Sequence, residues 1–293
     1  MRQKQMRTKI KVALLTYAVL ILSCSMSIAQ TNKLSWRMIA EADAVLNGTL
    51  NAPAYQLQIA ARAPKRDKAK WVTIGISGAT DLMGTSTAVT ASCFYWADTN
   101  SYAGAVVDPG EVASHDGKET ILLLSWSHGC FANWFSPKGY HLEALYPSTP
   151  EMVATIRAQI RDQSISLAAF DTRFQRENVP LYDRVKTLIA DLLDRQKATS
   201  AFQQLHDLGN AAVPAMILLL DDRRQLPSAT LEYNSRHATL QCAPRTVLEA
   251  LAMVLGNITG EHFNESITGG DEVMCRKLIE YWRLYLIHSK PDA

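Results

Sequence analysis

The apolar pattern of this 293-residue chain changes near residue 147, and this change is the strongest constraint on its fold. Before it, short runs rich in β-branched and aromatic residues alternate with turn signals, which is typical of strands. After it, apolar residues recur every three or four positions, as they do on one face of a helix. The sequence therefore predicts an α+β chain, in which a small β-barrel or sandwich precedes an α-helical domain.

Four runs in the N-terminal half predict strands. The run ETILLLSWSH (119–128) centres on consecutive apolar residues, as expected of a strand that is buried on both faces. Closing or stacking the sheet removes exposed strand edges, which is why we expect a barrel or a sandwich. The other predicted strands are AVLNGTL (44–50), AKWVTIGISG (69–78) and TAVTASCFYWAD (87–98), and a short helix is predicted over 34–42.

Capping residues and apolar periodicity both predict helices in the C-terminal half. Thr149 and Pro150 are typical of a helix start, and the helix that follows closes a β-rich domain over 34–164. Residues 165–182 are predicted as a linker to an α-helical domain over 183–290. Two of its predicted helices span 247–256 and 271–288, with Gly256 and Gly260 as helix-ending and turn residues between them.

The stretch LHDLGNAAVPAMILLLDD (205–222) resembles the helix-turn-helix unit of HEAT-like repeats. The stretch VLEALAMVLGNITGEHF, with Trp282 downstream, is similar to the last unit of such arrays in exported bacterial proteins. The resemblance covers the last third of the chain and implies a helical surface for binding, without implying a reaction. The residues that match the repeat in kind are Leu205, Leu208, Gly209, Ala212, Val213, Pro214, Leu218, Leu219 and Asp221.

A second resemblance concerns the N-terminal half. The segments ADAVLNGTL and GKETILLL resemble exported β-barrel domains of the oligonucleotide/oligosaccharide-binding (OB) or tissue-inhibitor type. This resemblance implies a fold class only, and it assigns no role to any residue.

The first 29 residues have the organisation of a secretory signal peptide. Five basic residues and no acid precede the largely apolar run VALLTYAVLIL (12–22), and small residues lead to a predicted cut after Ala29. A transmembrane anchor is the alternative, but the apolar run is short for one. The sequence around Cys24 also resembles a lipobox, so Cys24 is a lipidation candidate. We expect an exported protein, in the periplasm or, if Cys24 is lipidated, anchored to the envelope membrane.

Removal of the signal peptide reverses the net charge. The chain has 30 Lys and Arg and 28 Asp and Glu, so the loss of five basic residues leaves 25 against 28, a formal charge of −3. A basic surface for nucleic acid is therefore not expected. The chain has no HExxH, phosphate-binding loop, GxGxxG or CxxC motif, and we predict neither a metal site nor a cofactor.

Four cysteines remain after the signal peptide. An even number in an exported protein suggests up to two disulfides. The spacing favours Cys93 with Cys130 and Cys242 with Cys275, among three possible connectivities. Four buried thiols are the alternative.

The stretch SWSHGCFANWF (125–135) is the strongest candidate for a binding site, because it groups aromatic and polar residues at the end of a buried strand. A thiolate of Cys130 activated by His128 would make the stretch catalytic. The two residues are only two positions apart, whereas catalytic pairs usually come from distant positions, so we assign no catalytic residue. The candidate residues for binding a partner are Trp126, His128, Asn133, Trp134 and Phe135.

These observations favour a protein-binding or scaffold module of the bacterial envelope, without catalysis, whose partner is another envelope protein. Two alternatives stay open: an inhibitor-like or structural envelope module, and an exported enzyme that uses the His128/Cys130 region. An enzyme predicts a concave pocket that gathers polar residues with perturbed pKa values from distant positions. A binding module predicts an exposed apolar or aromatic patch.

Overall fold

A computed structural model describes residues 34–52, 69–84, 90–96, 107, 109–127, 139–227, 231–234, 239–261, 263 and 272–289. The predicted signal peptide, with Cys24, lies outside these residues. The chain from Trp36 onward forms one compact unit. Within that unit are two hydrophobic cores, one inside the sheet of the N-terminal half and one among the helices of the C-terminal half.

The N-terminal half is built around an antiparallel sheet. Its ladders join the strands in the order β3-β2-β1-β4-β5. The sheet curls so that β3 and β5 meet, but only at one parallel pair of residues, Ser92 and His141. The strands are β1 (Ala44–Asn51), β2 (Ala69–Asp81), β3 (Thr90–Trp96), β4 (Glu119–Ser127) and β5 (Gly139–Pro147).

The predicted mixed architecture is therefore confirmed, whereas the closed barrel is not. Closure would need a continuous ladder between β3 and β5, and these two strands pair only at Ser92 and His141. Among the described residues, two sheets do not stack into a sandwich. The second sheet there is a two-stranded hairpin in the C-terminal half.

Strand β4 is buried on both faces, as its sequence predicted. Ile121–Leu124 are each completely buried, and alternate residues of this run belong to the core inside the sheet. On the opposite face, helix α1 (Trp36–Glu41) covers the sheet. There the hydroxyl of Tyr146, which pairs in register with Ile121, donates to the sulfur of Met38 at 3.3 Å. A short helix, α2 (Pro109–Ser114), precedes β4.

Strands β1 and β2 approach each other closely at Gly48. The register shifts between Asn47 and Thr49, and a Cβ on Gly48 would lie 2.8 Å from the carbonyl oxygen of Ser77. We expect Gly48→Ala to lower the free energy of unfolding by about 2 kcal/mol, since backbone must move to accept the methyl group. Urea denaturation measures this change. Gly75→Ala is the matched control, because its Cβ would meet no atom nearer than 3.6 Å, and equal losses in both variants would contradict the prediction.

The C-terminal half is mainly helical. The side chain of Thr149 accepts a hydrogen bond from the backbone N–H of Met152 at 3.2 Å and so caps α3 (Pro150–Ala168), as predicted. The sequence predicted no strand in this half, yet β6 (Leu231–Asn234) and β7 (Thr239–Cys242) form an antiparallel hairpin. The other helices are α4 (Phe170–Arg173), α5 (Tyr182–Leu192), α6 (Ala198–Asp207), α7 (Val213–Leu218), α8 (Val247–Thr259) and α9 (Glu272–Ser289), with 3-10 turns at Arg176–Asn178 and Gly209–Ala212.

The segment 165–182, predicted as a linker, contains packed helical turns. Helix α3 continues to Ala168, and Phe170 and Phe174 are buried in the helical core with their ring centroids 4.9 Å apart. Two residues four apart lie on the same side of a helical turn. One such pair is too short a pattern to predict a helix, which is why the sequence suggested a linker.

Helix α8 continues past the residue at which the sequence predicted its end. Gly256 is a buried residue inside the helix, and the chain turns only at Gly260, whose φ of 73° is in the left-handed region. The N–H of Gly260 donates to the carbonyl of Gly256 at 2.9 Å. The prediction for Gly260 is confirmed, and that for Gly256 is wrong because a glycine packed against neighbours is compatible with a helix interior.

Helix α1 connects the two halves. The ring of Trp36 stacks on that of His288 in α9, with centroids 4.7 Å apart. The side-chain amide of Gln163 in α3 donates to the carbonyl of Trp36 at 2.7 Å. One short helix therefore contacts the sheet on one side and the helices α3 and α9 on the other, and the candidate site lies at this junction.

Candidate functional site

A cleft of about 550 Å³ lies where the sheet meets α1, α3 and α9. Clefts of about 300–1,000 Å³ with mainly apolar walls are typical of ligand sites. The apolar wall includes Ile39 of α1, Ile160 and Leu167 of α3, and Met274 and Leu284 of α9. The cleft thus takes its surface from segments that are distant in sequence.

Two aromatic residues of the sheet line the cleft. Trp126, near the end of β4, is the register partner of Tyr140, near the start of β5. Their rings meet edge to face, with centroids 4.8 Å apart and planes at 75°. The backbone N–H of Trp126 donates to Oδ2 of Asp43 at 2.6 Å, which connects this aromatic pair to the charged part of the cleft.

An ion pair joins α9 to the segment between α1 and β1. Nζ of Lys277 lies 2.7 Å from Oδ1 of Asp43, and the two side chains are only 14% and 17% exposed. Lys277 also donates to the backbone carbonyl of Glu41. A buried pair of this kind offsets its desolvation only when both partners are well bonded, and here the ammonium has a carboxylate and a carbonyl as acceptors.

A β-bulge contains Glu143, whose carboxyl interacts electrostatically with both members of this ion pair. Leu123 pairs with Ala144 and Leu124 pairs with Leu142, so Glu143 is the extra residue of β5. The hydroxyl of Ser125 donates to Oε1 of Glu143.

The environment of Glu143 shifts the pKa of its carboxyl upward. Burial raises the pKa of the Glu143 carboxyl. The hydrogen bond from Ser125 and the ammonium of Lys277 oppose that shift, whereas the negative charge of Asp43 adds to it.

Glu41, the last residue of α1, has a pKa in the physiological range. Burial raises the pKa of Glu41 to about 7; Arg37 and Lys277 lower it, and Glu143 and Glu261 raise it further. Nη2 of Arg37 lies 2.6 Å from Oε1 of Glu261. We name the group of Glu41, Asp43, Glu143 and Lys277 the junction cluster.

The site therefore combines an apolar, aromatic cleft with a buried charged cluster at its wall. Burial also raises the pKa of Glu280, which lines the cleft from α9.

Among the residues that the structure describes, no group of His, Cys, Asp and Glu is arranged to hold a metal ion. In the same part of the chain, no helix has the length and apolar character needed to cross a membrane.

Only one of the residues predicted to bind a partner is placed at the cleft. Trp126 lines it, whereas the others lie outside the described residues: His128, Asn133, Trp134 and Phe135, together with Cys130. Cys275 is buried in α9. Cys93 lies in β3 and Cys242 lies in β7, but the structure does not describe their side chains. Both predicted disulfides therefore stay predictions.

The sequence analysis did not identify the junction cluster. Lys277 had a detectable signal, because it lies three or four positions from the buried residues Met274 and Tyr281 and so interrupts an apolar face of α9. Glu143 likewise stands between apolar residues of β5. A charged residue on a face that is otherwise buried suggests a paired or functional group.

No protein-family model, no curated protein and no solved structure matches this chain. The resemblances to HEAT-like repeats and to OB or tissue-inhibitor barrels stay predictions.

Proposed function

We propose that the protein is a binding or scaffold module of the bacterial envelope and that the cleft binds a segment of a partner protein. The observation that carries this proposal is the apolar cleft beside the edge-to-face pair of Trp126 and Tyr140. Aromatic residues at a concave surface are typical anchors of protein interfaces. The occupant that fits such a surface is a segment that inserts an apolar side chain.

The rim of the cleft supports a peptide-like occupant. Val273, at the start of α9, lines the cleft and is 66% exposed, so apolar surface continues outward from the cleft. Arg276 and Glu280 line the same side with opposite charges. An apolar centre with a polar rim is the usual anatomy of a protein interface. The resemblance to HEAT-like repeats, which serve mainly as binding surfaces, supports the same function by analogy.

The envelope location rests on the signal-peptide organisation of residues 1–29. On that proposal the mature chain begins after Ala29 or, if lipidated, at Cys24. An intact mass of the protein from its native cells distinguishes the two, because a lipid adduct adds the mass of its acyl chains. The enzyme alternative stays a prediction, because His128 and Cys130 lie outside the described residues.

Site-specific photo-crosslinking in the cells that produce the protein tests the binding proposal. A photoreactive residue at position 276, whose side chain is 67% exposed, is expected to give a discrete adduct with one envelope protein. Val273→Asp in the same chain places a charge at the cleft and is expected to reduce that adduct about tenfold, since burying an unpaired charge opposes binding.

Ile165→Asp is the matched control, because Ile165 is an exposed aliphatic residue, 60% accessible, that does not line the cleft. This variant is expected to keep the full adduct. The proposal is overturned if position 276 gives no adduct beyond that obtained with the photoreactive residue at position 165. Equal loss of the adduct in both aspartate variants would also overturn it.

A further inference from the structure

A buried amide of α3 lies at the wall of the cleft. Gln163 lines the cleft, yet only 9% of the residue is exposed. Its Nε2 donates to the carbonyl of Trp36 at 2.7 Å, which distinguishes the nitrogen of the amide from the oxygen, because only the nitrogen can donate. Oε1 of Gln163 has no hydrogen-bond partner among the residues that the structure describes. Since most buried polar atoms have a partner, this oxygen is a part of the wall that an occupant can complete.

The next residue of α3 offers a second acceptor. Ser164 lines the cleft, and its hydroxyl donates to the carbonyl of Ile160 at 3.0 Å. A hydroxyl has one hydrogen, so the oxygen of Ser164 can only accept a further hydrogen bond. The other residues of α3 that line the cleft, Ile160 and Leu167, are apolar. Two consecutive residues of this wall therefore have an oxygen that is available as an acceptor.

We propose that the partner segment carries a hydrogen-bond donor, an N–H or O–H group, next to the apolar side chain that it inserts, and that this donor binds Oε1 of Gln163. The inference rests on the proposed function, since it names the chemistry of the segment that occupies the cleft. Gln163 then selects among apolar segments. A segment without the donor would cover Oε1 and leave it without any hydrogen bond, which opposes binding.

The acceptor is held in place before the occupant binds. The carbonyl of Trp36 fixes the amide of Gln163, and the ring of Trp36 stacks on His288 with centroids 4.7 Å apart. Lys277 holds the other end of α1 through the carbonyl of Glu41. A group that is already oriented loses little conformational freedom on binding, so its hydrogen bond contributes more fully to affinity.

Photo-crosslinking from position 276 in the variant Gln163→Met tests the inference. Methionine is close to glutamine in size, but its thioether has no donor and is only a weak acceptor. We expect the adduct to fall about fivefold at equal accumulation of folded protein, because the donor of the occupant loses its acceptor. In Gln204→Met, which removes an amide outside the cleft, the adduct is expected to be unchanged.

His288→Ala is the control for α1, because Gln163→Met also removes the donor to the carbonyl of Trp36. The His288 variant loses the ring that stacks on Trp36 but leaves the residues that line the cleft unchanged, and we expect it to keep most of the adduct. The inference is overturned if Gln163→Met keeps the full adduct, or if His288→Ala reduces the adduct as much. Either result would leave the proposed function in place, whereas the absence of a specific adduct from position 276 in the otherwise unmodified protein would overturn both.

Discussion

Replacing Lys277 by methionine is expected to lower the free energy of unfolding by about 3–5 kcal/mol, because it leaves Asp43 buried without its cation. Both side chains of the pair are at least four-fifths buried, so water replaces the lost partner only incompletely. The carbonyl of Glu41 loses its donor in the same variant. Methionine keeps most of the volume of the lysine stem, so the loss reports the missing charge and hydrogen bonds more than a cavity.

Urea denaturation followed by circular dichroism at about pH 7 measures this loss. Lys197→Met is the matched control, because Nζ of Lys197 lies 3.2 Å from Asp191 but the lysine side chain is 61% exposed. An exposed pair contributes only about 0–1 kcal/mol. If the two methionine variants lost equal stability, the buried pair would contribute no more than an exposed one, and the junction cluster would not hold α9.

A second variant distinguishes the effect of the unpaired charge from the effect of lost packing. In Lys277→Met/Asp43→Asn, no charge of the ion pair remains buried, and part of the lost stability is expected to return. Recovery requires that the hydrogen bond from the backbone N–H of Trp126 be kept. The oxygen of the new side-chain amide at position 43 can accept it. A double variant no more stable than the single one would mean that packing, and not the unpaired charge, causes the loss.

Local patterns of the sequence predicted the elements that depend on local physics. The consecutive apolar residues of β4 identified a strand buried on both faces, and the structure buries all of Ile121–Leu124. Thr149 and Pro150 identified the start of α3. Gly209 adopts a φ of 60°, and Pro214 lies in the first turn of α7, which are the conformations that glycine and proline favour. Each of these outcomes is decided within a few residues along the chain.

The junction could not be predicted in this way, because its parts are distant in sequence. Lys277 and Glu41 are 236 positions apart, and neither carries a local signal that names the other. The position of Glu143 depends on a bulge in β5, and no pattern of apolar alternation predicts a one-residue shift of register. The pairing of β3 with β5 at one position likewise joins strands that are distant in sequence, so the sequence could suggest a barrel but not test its closure.

Phe170→Ala is expected to lower the free energy of unfolding by about 3–4 kcal/mol, although the sequence placed this residue in a linker. Phe170 is completely buried, its ring centroid lies 4.9 Å from that of Phe174, and the guanidinium of Arg283 lies 5.0 Å above it. Truncation removes these contacts and leaves a cavity in the helical core, which close packing around it prevents from collapsing fully.

Ile165→Ala is the control within the same predicted linker, because Ile165 is 60% exposed and its truncation should cost less than about 0.5 kcal/mol. Limited trypsin digestion gives an independent measurement, since Arg173 and Arg176 flank Phe174 in this segment. Cleavage there is expected to accelerate in Phe170→Ala and to stay slow in Ile165→Ala, because proteolysis requires local opening of the chain. If both variants were as stable and as resistant as the unmodified protein, the burial of Phe170 would contribute nothing measurable to the stability of the helical core.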